Sequence, residues 1–98
     1  MAIISFADRG TEDIFNGVSS KKARRACPQG IWGIAFRKLD LLNGATTLSS
    51  LRIPPGNELE QLSGDRKGQH SIRINKQYRV CFKWTDAGCE AVEITDYH

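Results

Sequence analysis

An α+β domain, with an N-terminal strand and helices packed on one face of a largely antiparallel sheet, is the fold class this sequence predicts. Three observations predict it. Strand-like runs in the last third alternate with period two, residues 31–42 carry an apolar stripe at helical spacing, and the elements run strand, helices, then several strands. The 98 residues suit one domain, 1–98, with a single modest core, and 40% hydrophobic and 26% charged content is ordinary for a soluble globular protein.

Ile3 to Phe6 is a short apolar run with β-branched residues and reads as a strand. Thr11 stands before Glu12 and Asp13 and reads as an N-cap followed by two acids in a first turn, where the helix dipole favours them; Gly17 stops that helix. Ser20 caps a second helix, whose end is left open because Pro28 is tolerated only in a first turn. Ile31, Ile34, Ala35, Leu39 and Leu42 then recur at helical spacing, and Asn43-Gly44 closes the helix. Trp32 and Phe36, four apart on a neighbouring flank, read as packing before they read as a partner-binding surface. Another short turn is expected from Thr46 to Leu51. The stretch 52–57 is a loop by its proline and glycine content, and Leu59 and Leu62 flank a strand leading into the last third.

That last third reads as a meander. From Tyr78 to Trp84 the even positions are Tyr78, Val80, Phe82 and Trp84, while the odd ones are Arg79, Cys81 and Lys83. Ile72 and Ile74 fall on one face of the preceding run, Ser71 and Arg73 on the other, and Asn75-Lys76 is short enough for a tight hairpin that brings Arg73 and Arg79 together. After a turn around 86–88, Val92 and Ile94 take the core parity of a third run. The sheet is therefore expected to be half buried, with one polar, cationic face. Continuing the last strand puts Tyr97 on that face and Asp96 and His98 on the core face, so a bend is expected after Thr95.

The net charge of +3 is mild but uneven: residues 1–57 carry 8 basic and 4 acidic side chains, residues 58–98 carry 6 and 7. Lys21, Lys22, Arg24 and Arg25 supply most of the excess; a solvated helix start or loop is the favoured reading, with phosphate contact as the alternative. Cys27, Cys81 and Cys89 form neither an even disulfide framework nor a pair at metal-ligand spacing, which implies a reduced, cytoplasmic setting. No charged leader with an apolar run and no stretch of about 20 apolar residues is present, so neither export nor membrane insertion is expected.

Cutting RNA through its 2′-hydroxyl requires a proton acceptor, stabilisation of a pentavalent dianionic phosphate and protonation of the leaving 5′-oxygen. Arg73, Arg79, Asp96 and His98 are residue types that serve these roles, and Tyr97 suits a phosphate oxygen or a base. His70 reads as structural or peripheral and Trp84 as core. Nothing near Cys81 suggests a depressed thiol pKa, so a cysteine nucleophile is rejected. No carboxylate cluster or histidine pair calls for a metal, and the 2′-hydroxyl route needs neither metal nor other cofactor.

The combination of PPGN at 54–57, LSGDRKGQHSIRIN, QYRVCF and a chain reaching EITDYH resembles the HigB-type ribosome-dependent mRNA interferases, toxins of the RelE superfamily, including their GraT-like members. The resemblance also takes in FADRGTEDIFNG at 6–17 and is strongest from Pro54 to His98. It implies a RelE-like fold and a cytoplasmic endoribonuclease toxin that cuts mRNA in the ribosomal A site, inhibiting translation and growth. The implied partners are the ribosome, mRNA and a neutralising HigA-type helix-turn-helix antitoxin, with operator DNA reached only through that antitoxin. By position, Arg79 matches the phosphate-stabilising arginine, and Asp96, Tyr97 and His98 match the terminal functional triplet. Arg66 lies in the matching Gly64-Asp65-Arg66 turn and is assigned to RNA binding, as are Lys67, Arg73 and Lys83. Where some members carry a histidine and a lysine, this chain has Glu60 and Ser63. Glu60 is then the candidate proton acceptor. The same departure supports an alternative, a catalytically weak toxin-fold protein acting mainly as an antitoxin-binding regulator. A free-standing RNA-binding module is disfavoured because the sheet's aromatics take the buried parity.

Overall fold

The computed structural model describes residues 2–97. Three helices come first: α1 (Arg9–Phe15), α2 (Lys21–Ala26) and, after a 3-10 turn at Gln29–Ile31, α3 (Trp32–Gly44). Three further 3-10 turns, Ser49–Arg52, Pro55–Asn57 and Gly64–Arg66, alternate with the strands β1 (Glu60–Gln61), β2 (His70–Arg73), β3 (Tyr78–Thr85) and β4 (Gly88–Asp96). The strands form one antiparallel sheet in the order β1-β2-β3-β4. The expected N-terminal strand lies beside β4 as two parallel bridges, Ile3 with Cys89 and Phe6 with Val92.

Asp8, not Thr11, caps α1. Its Oδ1 accepts the Thr11 N–H at 2.7 Å, and Thr11 Oγ1 donates to Oδ2 at 3.1 Å. Thr11 is thereby freed to turn inward, where its hydroxyl accepts the Ile94 N–H of β4 at 3.0 Å. Ser20 caps α2 as expected, accepting the Ala23 N–H at 3.0 Å, and in turn donates to Asp13 Oδ2 at 2.7 Å, so the two short helices share one polar clasp. A side chain at Gly10 would lie 2.4 Å from the Lys22 carbonyl oxygen, which is why only glycine allows α1 and α2 to approach so closely.

The core lies between the helices and one face of the sheet. Ala35, Leu39 and Leu42 of α3 are buried against Ile72, Val80, Phe82 and Val92, with Ile14 and Ala23 filling the flank. Ile31 and Ile34 of the expected stripe are only half buried. Trp32 packs on the core and donates its Nε1–H to the Cys27 carbonyl at 3.0 Å. Phe36 stays 41% exposed, stacked on Phe15 with ring centroids 6.1 Å apart.

A bulge in β4 decides which residues reach each face. Cys81 pairs with Glu93 but Lys83 pairs with Glu90, so β4 carries one extra residue opposite Phe82. Ala91 takes it up at φ +53°, its N–H held by Ser5 Oγ at 2.8 Å. The parity switch lets Cys89 and Val92 both enter the core while Glu90, Glu93 and Thr95 line the other face.

The expected solvated, cationic face is a partial misreading of that second surface. Ser71 and Cys81 are fully buried on it and Arg79 is 8% exposed. The Gly64–Arg66 turn lies across the face, with Arg66 bonded to Glu93 at 3.1 Å, and the loop at Glu58 reaches over the two arginines. Loops therefore bury what the strand alternation assigned to solvent.

Candidate active site

Arg73 and Arg79 are direct cross-strand partners at the hairpin end of β2 and β3. Two like charges so placed repel unless something intervenes. Glu58 does so twice over: its carboxylate pairs with Arg73 Nε at 3.2 Å, and its carbonyl accepts from Arg79 Nη2. Arg79 Nε also donates to Ser71 Oγ at 2.7 Å, and Nη2 reaches the Ser71 carbonyl at 3.4 Å. Among the described residues no hydrogen bond is made by Nη1, so a guanidinium fixed at two of its nitrogens keeps one amine for an incoming oxyanion.

The loop carrying Glu58 is itself anchored. Asn57 is fully buried, donating its amide to the carbonyls of Leu51 at 3.1 Å and Ile53 at 3.3 Å while accepting from Lys38 Nζ at 2.5 Å. Glu58 follows at φ +45°, a left-handed turn that projects its carboxylate toward the arginines. Sequence reasoning did not single out Glu58. The PPGN turn before it was the available signal, but pairing across 15 and 21 positions is not visible in local pattern.

Around this pair, Glu60 is exposed opposite Ser71, on the Arg79 face one row away. Arg66 is half buried and tied down by Glu93 and by Gln69 Oε1, the latter at 3.1 Å. Lys67 and Lys83 are exposed, Lys83 opposite Glu90. Thr95 is the partner of Arg79 on β4.

The expected bend after Thr95 is absent. β4 continues in register through Asp96, which pairs with Tyr78, and the Tyr97 N–H still donates to the Gln77 carbonyl at 2.6 Å. The backbone bonds at this end outweigh any tendency to turn, so Asp96 stays on the helix-facing parity, away from Arg79. There its carboxylate accepts from Gln77 Nε2 at 3.2 Å and borders a cleft between β4 and α1–α2. Desolvation first, then the Asp96 carboxylate and Cys27, pushes the Tyr78 phenol above its ordinary value. Tyr97 is 38% exposed, and His98 lies outside the described residues.

The remaining candidates separate from the site. His70 lies on the opposite parity, stacked on Phe82 at 6.2 Å, and its Nδ1 has no hydrogen-bond partner among the described residues. Burial lifts the Cys27 and Cys89 thiols to about 11 and raises Cys81 as well, which leaves all three poor nucleophiles. Among the described residues, no group of three or more His, Cys, Asp or Glu is placed to hold a metal ion, and no helix is long and apolar enough to cross a membrane.

Residues 4–98 match the family model of the RelE-like toxin of the type II toxin-antitoxin system HigB. The chain belongs to the HigB-like toxins. It is 45% identical over 83 residues to Toxin HigB-1 of Vibrio cholerae serotype O1, an alignment covering 85% of this chain and 84% of that protein. It is also 39% identical over 57 residues to an uncharacterised protein of Haemophilus influenzae, covering 58% of this chain and 56% of the other. The helices packed on an antiparallel sheet are those of a RelE-like fold, and membership of a toxin-antitoxin family implies an antitoxin partner.

Proposed function

We propose that this HigB-like toxin is an endoribonuclease that cleaves mRNA on the ribosome and is neutralised by a HigA-type helix-turn-helix antitoxin. The observation that carries the reading is Arg79, a buried guanidinium held by Ser71 and Glu58 with Nη1 left for a phosphate oxygen. A buried, pre-oriented cation stabilises developing phosphate charge with little reorganisation, and that is usually the largest single contribution to catalysis. Arg73, half buried beside it and offset by Glu58, supplies a second positive group to the same phosphate.

In the proposed reaction the 2′-oxygen attacks the adjacent phosphorus, a side-chain base removes the hydroxyl proton, and the 5′-oxygen leaves with a proton from a side-chain acid. The products are a 2′,3′-cyclic phosphate and a 5′-hydroxyl. Glu58, paired with Arg73, and Glu60, one row away on the same face, are the proposed proton-transfer carboxylates beside the arginines, and the terminal Asp96-Tyr97-His98 segment is the proposed source of the other proton-transfer group. Asp96 now enters from the helix side of β4, so its proposed role is to position that terminal segment and not to contact the phosphate held by Arg79.

The test is induction of the chain without antitoxin, with mapping of RNA 5′ ends. New 5′-hydroxyl ends within reading frames are expected, and His98→Ala is expected to lower their yield by roughly 10² to 10⁴. Full growth inhibition with intact transcripts would replace the nuclease reading by the regulatory one, for which Glu60 and Ser63 in place of histidine and lysine are the supporting residues.

A further inference from the structure

Among the described residues, the outer edge of β4 beyond Val92 has no strand beside it, and α1 takes up the Ile94 N–H through Thr11 Oγ1 at 3.0 Å. The amino-terminal segment accompanies β4 only as far as Val92, whose carbonyl accepts the Ala7 N–H at 2.9 Å, and the chain then turns into α1. A cleft of about 560 Å³ runs along this edge, with β4 on one side and α1–α2 on the other. Its β4 wall consists of four consecutive residues, Glu93 to Asp96. The β3 residue in the lining is Tyr78, which packs on the core, so the cleft opens on the helix-covered side of the sheet. Of the four β4 residues, Thr95 is the direct partner of Arg79.

The opposite wall is basic. Lys22 and Arg25, three apart and so on one side of α2, line the cleft, whereas Lys21 and Arg24 of the same helix do not. Neither Lys22 nor Arg25 makes an ion pair among the described residues. Of the carboxylates that share the cleft, Glu93 pairs with Arg66, whereas Asp8 and Asp96 accept from neutral donors, the Thr11 N–H and Gln77 Nε2, and make no ion pair with α2. Arg9 is likewise paired, with Glu12 at 3.4 Å. Lys22 and Arg25, without ion-pair partners among the described residues, are thus held on a helix fixed by the Ser20–Asp13 clasp and the close approach at Gly10.

We propose that this cleft is a second phosphate subsite for the substrate RNA, in which Lys22 and Arg25 hold the backbone of nucleotides flanking the cleaved bond. The inference rests on the nuclease reading above. An open trough suits a polymer that enters and leaves at its ends, and this one borders Asp96 and Thr95, the latter the cross-strand partner of Arg79. A strand bound at both places would cross the edge of β4 with its reacting phosphate near the terminal segment.

The experiment measures cleavage of mRNA on programmed ribosomes by the full chain, comparing Lys22→Glu/Arg25→Glu with Lys21→Glu/Arg24→Glu, two variants of equal net charge on one helix. The inner pair is expected to raise KM about tenfold, the order expected for losing two partly exposed charge contacts. Its dependence of log(1/KM) on log[salt] should become shallower by about 1.4, roughly 0.7 per lost single-strand contact. The outer pair should change both far less. Replacing phosphates beside the cleaved codon by neutral methylphosphonates should raise KM for the wild type and add little to the inner-pair variant, since both remove the same contacts. If the reversed pair fails to fold, Lys22→Gln/Arg25→Gln carries the same comparison. Equal effects of inner and outer pairs, or none from the inner pair, would overturn the inference alone. Weakened binding of the inner pair to ribosomes without mRNA would assign the contact to ribosomal RNA and also overturn it. A wild type that does not cleave at all would overturn the nuclease reading, and this subsite with it.

Discussion

On the helix-covered face of the sheet Ile72, Val80, Phe82 and Val92 are buried against Ala35, Leu39 and Leu42. On the opposite face Ser71, Arg79 and Cys81 are buried under loops, two of them through polar bonds. Both faces hold buried residues, but they are buried for different reasons. The first excludes water because its side chains offer nothing to hydrate, and its stabilisation grows with apolar area. The second excludes water only while each polar group keeps its partner, because an unpartnered buried group costs more than a satisfied one contributes. Stability should therefore respond mainly to changes on the first face, and phosphate chemistry to changes on the second.

The largest expected effect sharpens that division. Phe82→Ala, at a fully buried aromatic in mid-strand, should cost about 3–5 kcal/mol of folding stability, measured by urea unfolding. A loss below about 1 kcal/mol would mean that the helix face is not the main source of stability.

Next comes the polar face. Arg79→Lys keeps a charge but cannot reproduce the bonds from Nε and Nη2 to Ser71 and Glu58 together, and it should lower mRNA cleavage by about 10²–10³ while leaving antitoxin binding intact. Cleavage kinetics alongside an unfolding curve check it. A variant that loses stability in proportion to activity would break the comparison, because Arg79 would then act as a core residue.

The smallest effect concerns the rim between the two faces. Desolvation against Phe82 lowers the His70 pKa from its ordinary 6.5, so the unfolded chain takes up a proton more readily than the folded one. The contribution of neutral His70 is complete above pH 6.5 and declines as the pH falls from there toward the lowered folded value. The drop in urea midpoint between pH 7 and pH 5.5 should be smaller in His70→Gln than in the wild type. An identical drop would place the titration elsewhere.

Much of this was present in the linear chain. Alternation from Tyr78 to Trp84 set the β2–β3 hairpin and its Arg73–Arg79 pairing, because it depends on neighbouring residues and a period of two, although the turn takes three residues, Asn75 to Gln77, and not the expected two. The α3 stripe and the Ser20 cap are equally local. Sequence by itself also determined the family, through motifs spread over most of the chain. Three things were decided only by tertiary structure. Asp8 became the cap of α1 because Thr11 was drawn inward to Ile94, a contact across 83 positions. The bulge at Ala91 exists because Ser5, from the other end of the chain, holds its amide. The strand reaches Asp96 without bending because Tyr78 and Gln77 continue to pair with it, and this turns a residue expected beside Arg79 toward α2. Local periodicity reports which way a side chain would point on an ideal element. Only the folded chain says which backbone groups, brought from far away, will hold that element to its ideal or divert it from it.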